Sequence, residues 1–421
     1  MRENTLAIHA GYDGNEFGTM AVPIYQTTAY EFRDAEHAAN LFELKELGNI
    51  YTRLMNPTTD VFEKRFAALE GGAAAVATAS GMSAIFYAIA NVAEAGDNII
   101  VAKQVYGGTT TLTGHTIRRF GIEARYFDVY EPEELEAMID ERTKLIHFES
   151  ITNPSVDVAD IAEIVRIADR HGVLTCTDNT VATPVICKPI EHGVDVVVHS
   201  ASKYTTGQGL AIGGIVVERE GLVEKLKGNQ RYYHFNEPDP SYHGLVYTDL
   251  PLPPFTLRTR LALLRDLGAA PSPFNSWLYI QGLETLPLRM RQHSDSALAI
   301  AEFLEAHPKV KKVNYPGLKS DPNYPLVQKY FKKGMASGLL SFEVESREEA
   351  QRIADSTKLF KLVVNIGDSK SLITHPASTT HQQLSKEELE AAGVPEGLIR
   401  LSVGLEDTED LIEDLRQALQ N

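Results

Sequence analysis

The fold prediction rests on the stretch Val194-Asp195-Val196-Val197-Val198-His199-Ser200-Ala201-Ser202-Lys203, which a glycine-containing turn follows. A short valine run of this kind is typical of a strand buried in a parallel sheet. Lys203 comes just after that strand, behind the hydroxyls of Ser200 and Ser202. A lysine amine so placed can form a Schiff base with an aldehyde while the hydroxyls hold a phosphate. On this stretch alone, an ordinary exposed lysine after a buried strand is an open alternative.

A second apolar run, residues 173–177, ends at Asp178. In open α/β sheets ligands bind at the carboxyl ends of the strands, so Asp178 and Lys203 are expected at the same edge. Pyridoxal phosphate needs a carboxylate beside its pyridine nitrogen, because the protonated ring draws electrons from the substrate carbon. The two residues together therefore predict a pyridoxal-phosphate site. Asp178 taken alone is more typical of a turn or a helix cap.

Small residues before the helix-like run 84–93 predict the phosphate cradle. Free backbone N–H groups and the helix dipole favour a dianion at a helix start, and a glycine lets the backbone approach closely. Gly81 and Met82 are therefore predicted to bind the phosphate. Tyr106, after the strand-like run 98–102, can stack on the pyridine ring and move protons. Buried aromatic residues usually belong to the core, so Tyr106 alone would carry little weight.

Together these motifs resemble the Cys/Met-metabolism family of pyridoxal-phosphate enzymes, which includes cystathionine synthases and lyases, methionine γ-lyase and the acylhomoserine sulfhydrylases. The resemblance runs from about Thr5 to about Leu419. Further motifs that carry it are Tyr51-Thr52-Arg53-Leu54-Met55-Asn56-Pro57-Thr58, Val105-Tyr106-Gly107-Gly108-Thr109 and Arg400-Leu401-Ser402-Val403-Gly404-Leu405-Glu406-Asp407.

The resemblance implies fold type I, the aspartate-aminotransferase-like α/β fold, with a mainly parallel sheet and a smaller C-terminal α/β domain. It divides the chain into an N-terminal arm (1–56), a pyridoxal-phosphate-binding domain (57–267) and a C-terminal domain (268–421). The residues agree, because apolar strand-like runs alternate with helix-like runs such as 158–171. A long helix is expected over 283–307.

The resemblance also implies roles, position by position. Lys203 holds the cofactor and, with Tyr106, moves protons; Asp178 pairs with the ring nitrogen and Tyr106 stacks on the ring. The phosphate is bound by Gly81, Met82, Ser200 and Ser202. The substrate carboxylate is bound by Arg400, whose guanidinium fork suits it, helped by Asn153 and Ser371. Tyr51 and Arg53 reach the phosphate of a neighbouring subunit, so a catalytic dimer, usually paired into a homotetramer, is expected.

Four local features favour the O-acetylhomoserine sulfhydrylases within this family. Two are segments: 236–244, inside an aromatic insertion at 232–255, and 365–368 together with 375–383. The others are single positions: Lys370, where cystathionine-handling relatives usually carry an acid, and Gly108, where methionine γ-lyases often carry a cysteine. The implied reaction is γ-replacement on O-acetylhomoserine by a sulfur nucleophile, giving homocysteine and acetate in methionine biosynthesis. Gln208 departs from the pattern, because sulfhydrylases commonly carry a histidine there.

Two alternatives stay open. One is a methionine or cystathionine γ-lyase on the same scaffold, and the other is a non-catalytic cofactor-binding protein. The sequence leaves open an acetyl or a succinyl leaving group. It also leaves open sulfide, methanethiol or a sulfur-carrier protein as the sulfur donor. The insertion 232–255 either gates donor entry or serves a subunit contact.

Composition excludes several classes of protein. The chain has 421 residues, enough for two or three domains, and a formal net charge of −17 with scattered basic residues. This pattern predicts no nucleic-acid partner and no membrane anchor. We expect no signal peptide and, with only Cys176 and Cys187, a cytoplasmic location. His375 and His381 lack the spacing of a zinc site, as do the cysteines, so we expect no metal. The segment 375–383 is expected to shape the substrate pocket instead.

Overall fold

A seven-stranded sheet organises the larger part of the molecule. The computed structural model describes residues 1–379 and 393–420. The strands of this sheet are β1 (Ala74–Thr78), β2 (Asn98–Ala102), β3 (Glu123–Phe127), β4 (Thr143–Glu149), β5 (Leu174–Asp178), β6 (Val196–Ser200) and β7 (Gly214–Glu218). Their order is β1-β7-β6-β5-β4-β2-β3, and β7 alone runs antiparallel to its neighbours. The predicted mainly parallel sheet is confirmed.

The middle strands consist of apolar residues because both faces of the sheet are covered by helices. Val196, Val197 and Val198 are completely buried. In the parallel register, Glu149 of β4 lies opposite Asp178 of β5. The carboxyl ends of the strands therefore form one row of polar side chains at a single edge of the sheet.

A smaller five-stranded sheet forms the second α/β unit. Its strands are β8 (Lys312–Asn314), β9 (Leu339–Glu343), β10 (Lys361–Leu362), β11 (Leu372–Thr374) and β12 (Leu398–Ser402), in the order β10-β11-β12-β9-β8. The predicted smaller C-terminal α/β unit is confirmed, whereas the domain bounds at 56 and 267 stay a prediction.

Helices cover both sheets. In the described chain they are α1 (Glu3–His9), α2 (Ala35–Phe42), α3 (Pro57–Glu70), α4 (Gly81–Ala90), α5 (Gly107–Thr111), α6 (Glu134–Met138), α7 (Ile161–Arg170), α8 (Thr183–Ile186), α9 (Leu222–Leu226), α10 (Pro254–Arg258), α11 (Arg265–Leu267), α12 (Pro273–Glu305), α13 (Tyr324–Tyr330), α14 (Arg347–Ser356) and α15 (Thr408–Gln420). Short 3₁₀ or π turns lie at Leu112–Thr116, Ile117–Phe120, Pro189–His192, Gln230–Phe235, Tyr247–Asp249, Thr259–Leu264, Lys332–Gly334 and Pro376–Ser378. Within the described ranges we find no helix with the length and apolar character needed to cross a bilayer.

The long helix α12 begins ten residues before the expected start at 283. Ser272 caps it by accepting the N–H of Asn275, and Pro273 occupies the first turn, where a missing N–H costs nothing. Sequence reasoning placed the start too late because Gly282, just before the expected start, is a poor helix former; Pro287 was already inside the expected helix. Both lie inside α12 here.

Helix α12 is tied to both parts of the molecule near its middle. Arg289 donates to the carbonyl oxygens of Tyr204 at 2.8 Å and Gly282 at 2.7 Å. One turn further on, His293 Nδ1 lies 2.7 Å from the carbonyl oxygen of Val403, just after β12. The helix therefore connects the loop after Lys203 with the end of β12.

The aromatic insertion 232–255 packs at the edge of the large sheet away from the strands' carboxyl ends. The Tyr232 hydroxyl accepts the N–H of Leu174 and donates to the carbonyl of Lys144, each at 2.7 Å, and both partners lie at strand beginnings. Fully buried aromatic residues of the insertion are Tyr232, Phe235, Tyr247 and Phe255. These four side chains therefore belong to the core, and both roles considered for the insertion stay predictions.

Gly282→Ala should lower stability, although alanine is normally the better helix former by about 1 kcal/mol. A Cβ at Gly282 would lie 2.0 Å from the Thr205 carbonyl oxygen, so the helix and the lysine loop would have to separate. We expect a cost of about 1–3 kcal/mol, typical of an overpacked contact, measured as a lower thermal midpoint. Gly107→Ala is the control, since a Cβ there meets nothing within 4 Å. An unchanged midpoint for Gly282→Ala would contradict this contact.

Candidate active site

A cavity of about 470 Å³ opens at the carboxyl ends of β4, β5 and β6. Residues from the C-terminal part close its far side, including Asn365 and Arg400. The cavity brings together nine predicted site residues: Gly81, Met82, Tyr106, Asn153, Asp178, Ser200, Ser202, Lys203 and Arg400. Positions more than 300 residues apart in the chain thus share one space.

Lys203 extends from the turn after β6 into this cavity. Its Nζ donates to Asn365 Oδ1 at 2.5 Å. Burial lowers the pKa of the Lys203 amine, and the positive charge of Arg400 lowers it further. Both effects increase the neutral, nucleophilic form of the amine, which Schiff-base formation requires.

Asp178 ends β5 and lines the cavity, with its side chain partly buried. Its Oδ1 accepts the N–H of Thr180 at 2.9 Å. Burial raises the pKa of Asp178, and the hydrogen bonds from Thr180 oppose that rise. A cation beside this carboxylate would keep it ionised. The protonated ring nitrogen of pyridoxal phosphate is such a cation, so the position fits the predicted pairing.

The predicted phosphate cradle lies where α4 begins. Ser80 caps the helix by accepting the N–H of Ser83 at 3.1 Å. A Cβ at Gly81 would lie 2.7 Å from Ser200 Cβ, so the helix start and the end of β6 meet at a distance that only glycine allows. Ser202 Oγ accepts the N–H of Gly213 at 2.9 Å, which holds its loop against the cavity. Free helix N–H groups beside two hydroxyls fit a phosphate.

Arg400 in β12 is buried on the opposite side of the cavity. Its Nη1 donates to Asn153 Oδ1 at 3.0 Å and its Nη2 to the Asn365 carbonyl at 3.2 Å. Burial lowers the pKa of Arg400 to about 10, so the group stays charged at neutral pH. Its Nε has no acceptor among the described residues. A charged guanidinium with an unused donor fits a substrate carboxylate.

Three predicted site residues lie outside this cavity. The Ser371 hydroxyl donates to Glu406 at 2.9 Å and accepts the N–H of Gly404 at 2.8 Å. It is therefore occupied in a buried turn, a position that does not support a contact between this side chain and the substrate. Tyr51 is 40% exposed, with the Arg53 guanidinium 5.4 Å from its ring centroid.

The segment 375–383 was expected to shape the pocket. His375 is instead buried, with its ring nitrogens 2.7 Å from Ser378 Oγ and from the Glu396 carbonyl. Residues 380–383, among them His381, lie outside the described residues.

Two polar residues of the cavity that contact predicted site residues received no site role in the sequence analysis. Glu149 ends β4 beside Asp178, and Asn365 receives the Lys203 hydrogen bond. The strand-end rule that identified Asp178 would also have found Glu149, because both carboxylates follow apolar runs. Asn365 was noted only as part of the segment 365–368, and its contact with Lys203 could not be predicted because it depends on how the second α/β unit meets the first. Among the described residues we find no cluster of His, Cys, Asp or Glu suited to a metal ion.

Comparison with known proteins agrees with this geometry. The model of the family described as Cys/Met metabolism PLP-dependent enzyme matches residues 4–420. The O-acetyl-L-homoserine sulfhydrylase of Leptospira meyeri is 47% identical over 431 residues, which cover 100% of this chain and 97% of that protein. The homocysteine synthase of Schizosaccharomyces pombe is 45% identical over 420 residues, covering 99% and 97%.

A solved structure is also similar over the whole chain. It is a crystal structure from Campylobacter jejuni, provisionally named O-acetylhomoserine (thiol)-lyase, with a TM-score of 0.98 and 53% identity, covering 100% of both chains. That protein carries pyridoxyl-lysine-phosphate at one lysine.

Arg400→Gln should raise the pKa of the Lys203 amine in the cofactor-free protein. In the unaltered chain we expect Lys203 to titrate below the ordinary lysine value of 10.5, because it is buried and faces a cation. The pH dependence of its chemical modification, followed by peptide mass spectrometry, measures the midpoint. Arg400→Lys keeps the charge and is the control, with its midpoint still low. Equal midpoints for Arg400→Gln and the unaltered chain would disprove this coupling.

Proposed function

Because the chain belongs to the Cys/Met metabolism family of PLP-dependent enzymes, we propose that it makes homocysteine from O-acetylhomoserine and a sulfur nucleophile. The reaction breaks the bond between Cγ and the acetyl oxygen, forms a bond from Cγ to sulfur, and releases acetate. The observation that supports it best is the single cavity that contains Lys203, Asp178 and Arg400. The names of the relatives favour an acetylated substrate and a place in methionine biosynthesis.

Pyridoxal phosphate is the cofactor, and when bound it supplies an aldehyde for linkage to amines and a ring that accepts electrons. We propose that Lys203 Nζ forms the linkage and that Asp178 accepts a hydrogen bond from the ring nitrogen. Gly81, Met82, Ser200 and Ser202 hold the phosphate at the start of α4. Tyr106 covers one face of the ring.

Lys203 is the residue proposed to move protons. Its amine is in the cavity, its pKa is lowered, and Asn365 Oδ1 orients it at 2.5 Å. A neutral amine so held can take the proton from the substrate Cα and return a proton in the later half of the reaction. Tyr106 stands at the same cavity and is proposed to help at Cβ.

Arg400 is proposed to orient the substrate by its carboxylate. Asn153 holds one end of the guanidinium and the Asn365 carbonyl the other, so the fork cannot rotate freely. Asn365 therefore contacts both Lys203 and Arg400. This arrangement fixes the direction in which the substrate Cα faces the amine.

We propose that the sulfur donor is hydrogen sulfide or a small thiol rather than a sulfur-carrier protein. The cavity rim carries exposed apolar side chains from Leu210, Ile212 and Val364. An apolar rim favours a small uncharged donor over a charged protein tail. Cys176 and Cys187 are both free thiols, which supports a reducing, cytoplasmic setting.

The catalytic unit is proposed to be a dimer in which Tyr51 and Arg53 serve the neighbouring subunit, with two dimers in a homotetramer. Their side chains lie outside the cavity of their own chain, and Arg53 donates to the Arg265 carbonyl. Further apolar groups of the arm are exposed, with Phe17 at 78% and Met20 at 95%. An exposed apolar arm of this kind is expected at an interface between copies.

Homocysteine should form from O-acetylhomoserine only when sulfide is added. Product analysis of the purified protein, with and without sulfide, makes this measurement, and O-succinylhomoserine in a parallel sample tests the leaving group. If 2-oxobutanoate and ammonia dominate in both samples, the γ-lyase alternative replaces the proposal. A cofactor spectrum that responds to no amino acid would support a non-catalytic protein.

Mixing two inactive variants should restore activity. Lys203→Ala removes the amine and Arg53→Ala removes the group offered to the neighbour, so each homo-oligomer is expected to lose most of its turnover. In mixed dimers one site regains both groups, and random mixing should recover roughly a quarter of the unaltered rate. Lys227→Ala, an exposed change outside the cavity, replaces Arg53→Ala in the control mixture, which should behave as simple dilution. Mixed oligomers that form without recovery would show that the sites are not shared.

A further inference from the structure

We propose that Glu149 is a positioning residue that fixes Tyr106 and Asn153 around the cofactor. The inference rests on the cofactor and substrate roles proposed above for those two residues. Glu149 lies in the cavity lining at the end of β4. It holds the backbone of the ring-stacking residue and that of the carboxylate-binding residue at the same time.

The contacts of Glu149 go to backbone groups of two different loops. Glu149 Oε1 accepts the N–H of Tyr106 at 2.6 Å. The N–H of Asn153 faces the same carboxyl group and lowers its pKa. One side chain thus joins the turn before α5 to the turn after β4. The Tyr106 side chain is 48% exposed, so its backbone anchor limits where the ring can lie.

The surroundings of Glu149 are energetically unfavourable for an ionised carboxylate. Burial raises the pKa of Glu149 well above its usual value, and the charge of Asp178 raises it further. The two residues are partners in neighbouring parallel strands, which lie about 4.8 Å apart. No cation of the described residues stabilises Glu149; only the two N–H groups do. A buried carboxyl group retained beside another at a cavity wall points to a role in that cavity.

A second buried glutamate allows a role of Glu149 at the cofactor to be distinguished from a purely structural role. Glu218 is also a fully buried glutamate at a strand end, and it accepts the N–H groups of Phe255 at 3.2 Å and Thr256 at 2.8 Å. Burial raises the pKa of Glu218 to about 7. Like Glu149, it accepts hydrogen bonds from backbone N–H groups, but it does not line the cavity.

The experiment compares Glu149→Met, Glu149→Gln and Glu218→Met as holoenzymes. The readouts are the visible circular dichroism of the bound cofactor, the cofactor dissociation constant, the thermal midpoint, and the separate values of kcat and KM. Glu149→Met should change the circular dichroism and raise the dissociation constant about tenfold, the effect of losing one hydrogen bond. Glu149→Gln keeps one acceptor and should show a smaller change of the same kind. Glu218→Met should lower the thermal midpoint and leave the cofactor signals unchanged.

Two results would overturn the inference. One is an unaltered dichroism and dissociation constant in Glu149→Met, or in Glu149→Gln if the methionine variant does not fold. The other is an equal change of those signals in Glu218→Met, which would make the effect one of general stability. The cofactor readouts need no substrate, so they decide this point even if the protein makes no homocysteine.

Discussion

Parallel pairing of β4, β5 and β6 is the constraint on which the site depends. It places the last residue of each strand at one edge of the sheet: Glu149 lies opposite Asp178, and Ser200 lies two residues beyond Val198, the partner of Asp178 in β6. Lys203 follows three residues after β6, and α4 begins directly against Ser200. Groups from the second α/β unit complete the site from the other side, with Arg400 and Asn365. The functional groups thus come from the edge of the large sheet on one side of the cavity and from the second α/β unit on the other.

Burial changes the pKa values of the ionisable groups that line this cavity. Burial moves the pKa of each ionisable group toward its neutral form: upward for Glu149 and Asp178, downward for Lys203 and Arg400. None of these shifts favours folding, because each reflects the cost of placing a charge away from water. A bound group with a cationic ring nitrogen and a dianionic phosphate would offset much of that cost. The cavity is therefore better suited to the loaded protein than to the empty one.

Much of this arrangement could be predicted from the sequence, because it follows local rules. The valine run of β6, the small residues before α4 and the carboxylate after β5 each carry their own pattern, and together they located Lys203, Gly81 and Asp178. Features that depend on contacts between distant segments could not be found in that way. Asn365 meets Lys203 only because the two units pack together, and the Ser371 hydroxyl is turned away by Glu406. The start of α12 was misplaced because tertiary packing overrides the low helix propensity of Gly282.

The 33 residues of α12 give the molecule a rod about 50 Å long. Arg289 attaches that rod to the carbonyl oxygens beside the lysine, and His293, one turn later, lies against the strand that carries Arg400. The segments that carry the Lys203 amine and the Arg400 guanidinium are thus each hydrogen-bonded to this helix, at residues one turn apart. Any closing movement of the two units that changed the span between them would first have to bend this rod or break one of its buried attachments. The two attachments lie four residues apart, roughly 6 Å along the helix axis, so the loop after Lys203 and the end of β12 share one rigid support.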